Sequence, residues 1–154
     1  ILKAMGMSKI TWLSDPFWAK IAVLYADVWQ WTPFAFLVLL AALQSVPLEL
    51  YESAALDTRS NWQVFRHITL PIIQPALVTV VLLRMVEAFK MFDIPFSLTN
   101  GGPGIATRTI TFNVYITGIR QQNLGEATAM AFLLLIMVLL VSIMFIRHYR
   151  RLYE

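Results

Sequence analysis

A chain of 154 residues that is 58% hydrophobic and only 14% charged, with a mean hydropathy of +0.67, is too apolar for a soluble domain; such domains are about half apolar and about a quarter charged. The composition is that of an integral membrane protein with polar connectors. The net charge of +3 is spread along the chain and forms no long basic run, so nucleic acid is not indicated as a partner, and the lack of cysteine excludes disulfides.

A helix rises about 1.5 Å per residue, so about 20 apolar residues cross a hydrocarbon core of ~30 Å. Three windows meet this length. The first covers residues 19–43; it carries Asp27, Trp29, Gln30 and Trp31 in its first half and Pro33 after them. Tryptophans at such places form interfacial belts, but Gln30 and Pro33 lie well inside the window and also fit a softened helix facing other protein. The second window covers residues 72–92. The third, residues 127–146, carries Ser142 late in its apolar run and stops at R-H-Y-R-R. All three are expected to be helices, because an open strand edge cannot be satisfied in lipid. The chain begins at Ile1 with no charged leader region or cleavage site, and is expected to be the C-terminal part of a longer polypeptide.

Between the first two windows, residues 47–70 form an ordered polar loop. Pro47 suits a helix start, and Glu49 and Glu52 follow where the helix dipole favours negative charge. Ser53, Ala54 and Ala55 are small enough for close approach. Asp57-Thr58 breaks the pattern, and Ser60 with Gln63 has capping-box spacing for a second helix. Trp62, Phe65 and Ile68 give that helix an apolar stripe; Pro71 is expected to end it, and Pro71 or Pro75 can sit in the opening turn of the next span. This pattern leaves two readings open: a stiff helix pair against a soluble protein, or an amphipathic hairpin on the lipid surface.

Within the second window, Arg84 and Glu87 stand three residues apart on neighbouring helix positions, and Lys90 and Asp93 continue the alternation. Charges in a membrane are costly and therefore functional candidates. A self-compensating ladder packed against a partner near the outer interface competes here with a role in lining a solute path. The polar stretch 93–126 opens on a glycine-rich turn, L-T-N-G-G-P-G, without the Lys-Ser/Thr ending of a phosphate loop. Residues 105–124 are then expected to form a surface helix or ordered loop. His67 and His148 each sit beside arginine, with no third ligand at metal spacing. The basic C-terminal run suits anionic headgroups.

The Tyr51–Pro75 segment resembles the signature of bacterial ABC-importer permease subunits, the binding-protein-dependent transport inner-membrane components. Their loop reads E-A-A, three residues, then G, followed by I-x-L-P. Glu52, Ser53 and Ala54 stand at the E-A-A positions, and Asp57 at the aspartate that commonly precedes the glycine. Phe65, Ile68, Leu70, Pro71 and Pro75 match the distal part. Upstream D-V-W-Q-W-T-P-F and A-A-L-Q-S-V-P, and downstream F-K-M-F-D-I-P-F-S-L-T-N-G-G-P-G and G-E-A-T-A-M-A, look like the maltose and glycerol-3-phosphate subfamily. Thr58 departs from the pattern: it occupies the glycine position, where a positive φ costs glycine little and a β-branched residue much.

The resemblance implies an all-α, polytopic transmembrane helical bundle, part of a type I importer permease, with residues 47–70 as a cytoplasmic coupling loop and 93–126 outside the cytoplasm. It implies a transport subunit of the bacterial inner membrane that catalyses no covalent chemistry and moves a sugar, polyol or glycerol phosphate by alternating access. Its implied partners are ABC ATPase subunits, which hold ATP and magnesium, a second permease subunit in a heterodimer, a solute-binding protein at the outer face, and membrane lipid. This chain itself is expected to hold no cofactor or metal. Glu52, Ser53, Ala54 and Ala55 would fill the ATPase contact, with Asp57 and Thr58 shaping the turn. Trp62, Phe65, Ile68 and Pro71 would anchor the loop to the permease body. Charge does not set the orientation: five basic residues on the cytoplasmic side of this scheme face six on the other. The alternatives are a permease of another importer class, for polyamine, phosphate or sulfate, and a membrane scaffold that transports nothing.

Overall fold

The computed structural model describes residues 12–57 and 60–153, and among them every regular element is helical. Helix α1 runs Pro16–Gln44, α2 Leu48–Asp57, and α3 Asn61–Val64, followed by a π turn, Phe65–Thr69. Helix α4 covers Leu70–Phe89, α5 Asp93–Thr99, and α6 Ile110–Tyr115, which leads into a second π turn, Ile116–Arg120. The last helix, α7, is Leu124–Tyr153. Three stretches are long and apolar enough to span a membrane: Pro16–Gln44, Asn61–Phe89 and Leu124–Tyr149. No more than 17% of any of their most apolar windows is buried within the chain. Their outward faces therefore have to be covered by lipid or by other protein, since the bilayer core offers no water to polar groups and apolar side chains gain nothing from it.

The chain divides into two units, one formed by the residues up to Gln30 together with those from Val86 onward, the other by Trp31–Met85. In the first unit, α1 is capped by Asp15, whose Oδ1 accepts from the backbone N–H groups of Phe17 and Trp18 at 2.9 and 3.1 Å. The stretch between α4 and α7 is an ordered helical knot. Phe92, Phe96, Phe112 and Tyr115 form a cluster with ring centroids 5.1–6.3 Å apart. Phe112 itself and Pro95 of α5 are fully buried. Threonines tie the connecting backbone down. Thr109 caps α6 by accepting from the Phe112 N–H at 3.1 Å, and its hydroxyl donates to the Met91 carbonyl at 2.7 Å. The Thr107 hydroxyl reaches the Gly102 carbonyl at 2.9 Å and the Thr99 hydroxyl at 2.6 Å. Gly101 sits at φ +82°, and a Cβ there would lie 2.8 Å from the Arg108 side chain, so the turn requires glycine.

Helix α7 begins with a reciprocal cap. The Asn123 side chain accepts from the Glu126 N–H at 3.3 Å and donates to the Glu126 carboxylate at 2.8 Å. Its first turns press on the second π turn, where a Cβ added to Gly118 would lie 3.0 Å from the Ala127 Cβ. The wider turn of a π segment and the missing side chain together let α7 come this close.

Two local expectations fail in the second unit. Pro71 does not end the helix that begins at Asn61: Leu70 keeps right-handed helical angles (φ −61°, ψ −45°) and the helix continues to Phe89. In an α-helix the Pro71 ring would press on the carbonyl four residues back, that of His67. The π turn relieves this crowding, since the Leu70 N–H reaches back five residues to the Phe65 carbonyl. Ser60 is the N-cap of α3, but through its backbone: its carbonyl accepts from the N–H groups of Gln63 and Val64 at 3.0 and 3.2 Å, while its hydroxyl makes no cap bond.

Candidate functional site

Helix α2 has two faces set by the 3.6-residue period. Glu49, Glu52, Ser53 and Leu56, at i, i+3, i+4 and i+7, are all exposed. Leu56 is 89% exposed, a large apolar side chain at the end of a polar helix. The opposite face turns to the chain: Ala54 is buried at 7% exposure and Tyr51 is half-buried. Of the residues the sequence singles out on this loop, Glu52, Ser53 and Ala55 are therefore available to a partner, whereas Ala54 packs inward. Asp57 ends α2, and Thr58 lies outside the described residues.

The Tyr51 hydroxyl lies 3.0 Å from the hydroxyl of Thr69, the last residue of the first π turn, which is buried at 6% exposure. A threonine in a helix commonly donates to a carbonyl on the preceding turn. Here the Phe65 carbonyl receives the Leu70 N–H, and the Thr69 hydroxyl faces Tyr51 across 18 residues of sequence. On the outer side of α3, Trp62 and Phe65 stack with centroids 5.6 Å apart and 28° between planes. Both are exposed, Ile68 is half-buried and Pro71 exposed. Within this chain the buried anchor of the second helix is thus Thr69. The Trp62 and Phe65 rings present an apolar surface outward, and burying one such ring is worth roughly 1.5–3 kcal/mol.

The Arg84 guanidinium lies over the Trp31 ring, 4.8 Å from its centroid. The Glu87 carboxylate is 2.7 Å from the Lys90 ammonium, one helical turn on. Both side chains are partly open to the outside where α4 ends at Phe89.

Sequence reasoning missed Leu56, Tyr51 and Thr69. Leu56 was accessible from the helical wheel, since it shares the stripe of Glu49, Glu52 and Ser53. The Tyr51–Thr69 contact had no signal in a single sequence, because it depends on the extra residue that the π turn inserts.

The family model described as "Binding-protein-dependent transport system inner membrane component" matches residues 1–153. The trehalose/maltose transport system permease protein MalF of Thermococcus litoralis is 41% identical over 150 residues, 96% of this chain and 50% of that protein. The sulfoquinovosyl glycerol transport system permease protein SmoG of Agrobacterium fabrum is 32% identical over 96% of this chain and 48% of its own length. Among solved structures, the bacterial alginate ABC transporter in complex with an alginate pentasaccharide-bound periplasmic protein superposes with a TM-score of 0.88. It is 25% identical, and the match covers 99% of this chain and 54% of that one. The chain spans about half the length of the curated relatives it matches.

Proposed function

The chain belongs to the family of binding-protein-dependent transport system inner membrane components, and on that premise we propose that it is part of the membrane-spanning permease subunit of an ATP-driven importer. The solute is a sugar, polyol or glycerol phosphate, translocated by alternating access. The protein is a multi-pass protein of the cytoplasmic membrane. It carries out no covalent chemistry; ATP and magnesium are bound by separate ATPase subunits. A second permease subunit and an outer solute-binding protein complete the assembly. Relatives named for trehalose/maltose and for sulfoquinovosyl glycerol, and a structural neighbour carrying alginate, favour a polyhydroxylated solute.

The observation that carries this reading is the two-faced α2. One face, with Ala54 and Tyr51, is seated on the chain, and the other, with Glu49, Glu52, Ser53 and Leu56, is open to a soluble partner. An ATPase gripping the open face moves a helix that is bonded to the base of α4. ATP can bias the permease between outward-open and inward-open states only through contacts that differ between them, and a seated helix transmits such a difference where a loose loop would not.

The test is ATP-driven accumulation of labelled maltose, trehalose, lactose and glycerol 3-phosphate by proteoliposomes holding the full-length permease, its ATPase and its binding protein. ATP-dependent accumulation of at least one is expected. Accumulation of a polyamine, phosphate or sulfate instead would overturn the solute class, and failure of any ATPase to co-purify would overturn the importer reading in favour of a scaffold.

A further inference from the structure

We propose that the hydroxyls of Tyr51 and Thr69 form a clasp that sets the angle of α2 against the first π turn, which makes the two side chains the positioning pair of the ATPase-coupling loop. The proposal rests on the coupling role argued above and names the residues that make it mechanically effective.

Three observations converge on this pair. First, α2 has little else to hold it: among its described residues Ala54 alone is buried and Tyr51 alone half-buried, and all the others are exposed. A single alanine fixes the distance of closest approach but not the rotation of a helix about the point of contact. A directional bond at 3.0 Å, one turn away on the same face, fixes that rotation. Second, the bond is part-buried and Thr69 is closed to solvent, so water competes for it weakly. Either hydroxyl can donate, and the contact is made whichever way the proton points.

Third, the π turn is what aims the Thr69 hydroxyl. The Leu70 N–H bonds the carbonyl five residues back, at Phe65, so Phe65–Thr69 holds one residue more than an α turn would. Closing that turn to α geometry would rotate the preceding helix by about 100° relative to α4, and α3 and Thr69 would lose their present relation. Pro71 opposes such closure, because its ring crowds the His67 carbonyl in an α-helix. The helix dipeptide that looks like a terminator in the sequence thus holds open the turn on which α2 is seated. Force applied to Glu52, Ser53 and Leu56 reaches α4 through Tyr51 and Thr69, by a route of two side chains.

The experiment uses the full transporter, with its ATPase and binding protein, in proteoliposomes, and reads sugar accumulated per ATP hydrolysed for whichever panel sugar the wild type accumulates. Tyr51→Phe and Thr69→Val each remove one oxygen with little change of shape. Each is expected to lower the transport-to-hydrolysis ratio about fivefold, the change that one neutral hydrogen bond corresponds to. ATPase co-purification stays at the wild-type level. Thr69→Ser restores the ratio, and the double variant is no worse than either single one, because both remove the same bond. Wild-type ratios in Tyr51→Phe, or losses that multiply in the double variant, would overturn the clasp. If Thr69→Val fails to assemble, Tyr51→Phe decides alone, since its ring stays in place. Absence of the ATPase from wild-type preparations would instead overturn the coupling role, and the clasp with it.

Discussion

Leu56→Ala measures how much of the ATPase contact the open face of α2 supplies. Leu56 is 89% exposed in this chain, so it loses nothing here on truncation, and alanine is the best helix former. Its whole value lies in the complex. Three carbons leave the side chain, and at about 0.8 kcal/mol per buried CH₂ their loss from a closed contact costs about 2 kcal/mol. Every 1.4 kcal/mol is about tenfold in affinity, so the ATPase is expected to bind the permease about thirtyfold more weakly. The assay is equilibrium binding of labelled ATPase to the full-length permease pair in nanodiscs. Leu140→Ala on α7, also exposed but within an expected span, serves as the control and leaves the affinity unchanged. Wild-type affinity in Leu56→Ala, with Leu140→Ala behaving alike, would refute the assignment of this face to the ATPase.

Other consequences concern the helical knot between α4 and α7 and the start of α7. Phe112→Ala removes the fully buried ring of the four-ring cluster and should destabilise the knot by roughly 3–5 kcal/mol, read as loss of protease protection over residues 93–123 in intact vesicles. Thr109→Val removes a helix cap and the bond to the Met91 carbonyl, with an expected loss of about 1–2 kcal/mol in the same assay. Gly118→Leu drives a side chain into the Ala127 contact, already at 3.0 Å for a bare Cβ, and should sharply reduce assembled transporter on size exclusion; Gly118→Ser should fall between it and the wild type.

The all-α class of the chain was legible because lipid tolerates so few solutions: runs of about 20 apolar residues flanked by polar loops have no alternative to helix. Helices α1, α4 and α7 lie over the three windows read from composition. What was not legible turned on local geometry. Pro71 looks like a stop because the rule for residues before proline assumes α or extended backbone, and the π turn is a third answer. Ser53, Ala54 and Ala55 look alike in sequence because all three are small, although the helical period places Ala54 opposite Leu56, on the side of Tyr51. The Thr109 cap and the Asn123–Glu126 pair at the start of α7 had readable spacing, whereas the aromatic cluster they support joins residues up to 23 positions apart (Phe92 to Tyr115) and had none. The Tyr51–Thr69 contact is of the same kind: two ordinary residues made significant by a turn the sequence does not announce.

The central claim is that the open face of α2 meets an ATPase, and crosslinking tests it most directly. This chain has no cysteine, so Glu52→Cys and Ser53→Cys place single reactive groups on exposed positions of the open face of α2. In membranes holding the full-length permease with its ATPase, both are expected to crosslink to the ATPase, with a yield that changes when ATP is added. An assembled complex that gives no crosslink from either position, with or without ATP, would contradict the claim and return α2 to the lipid surface.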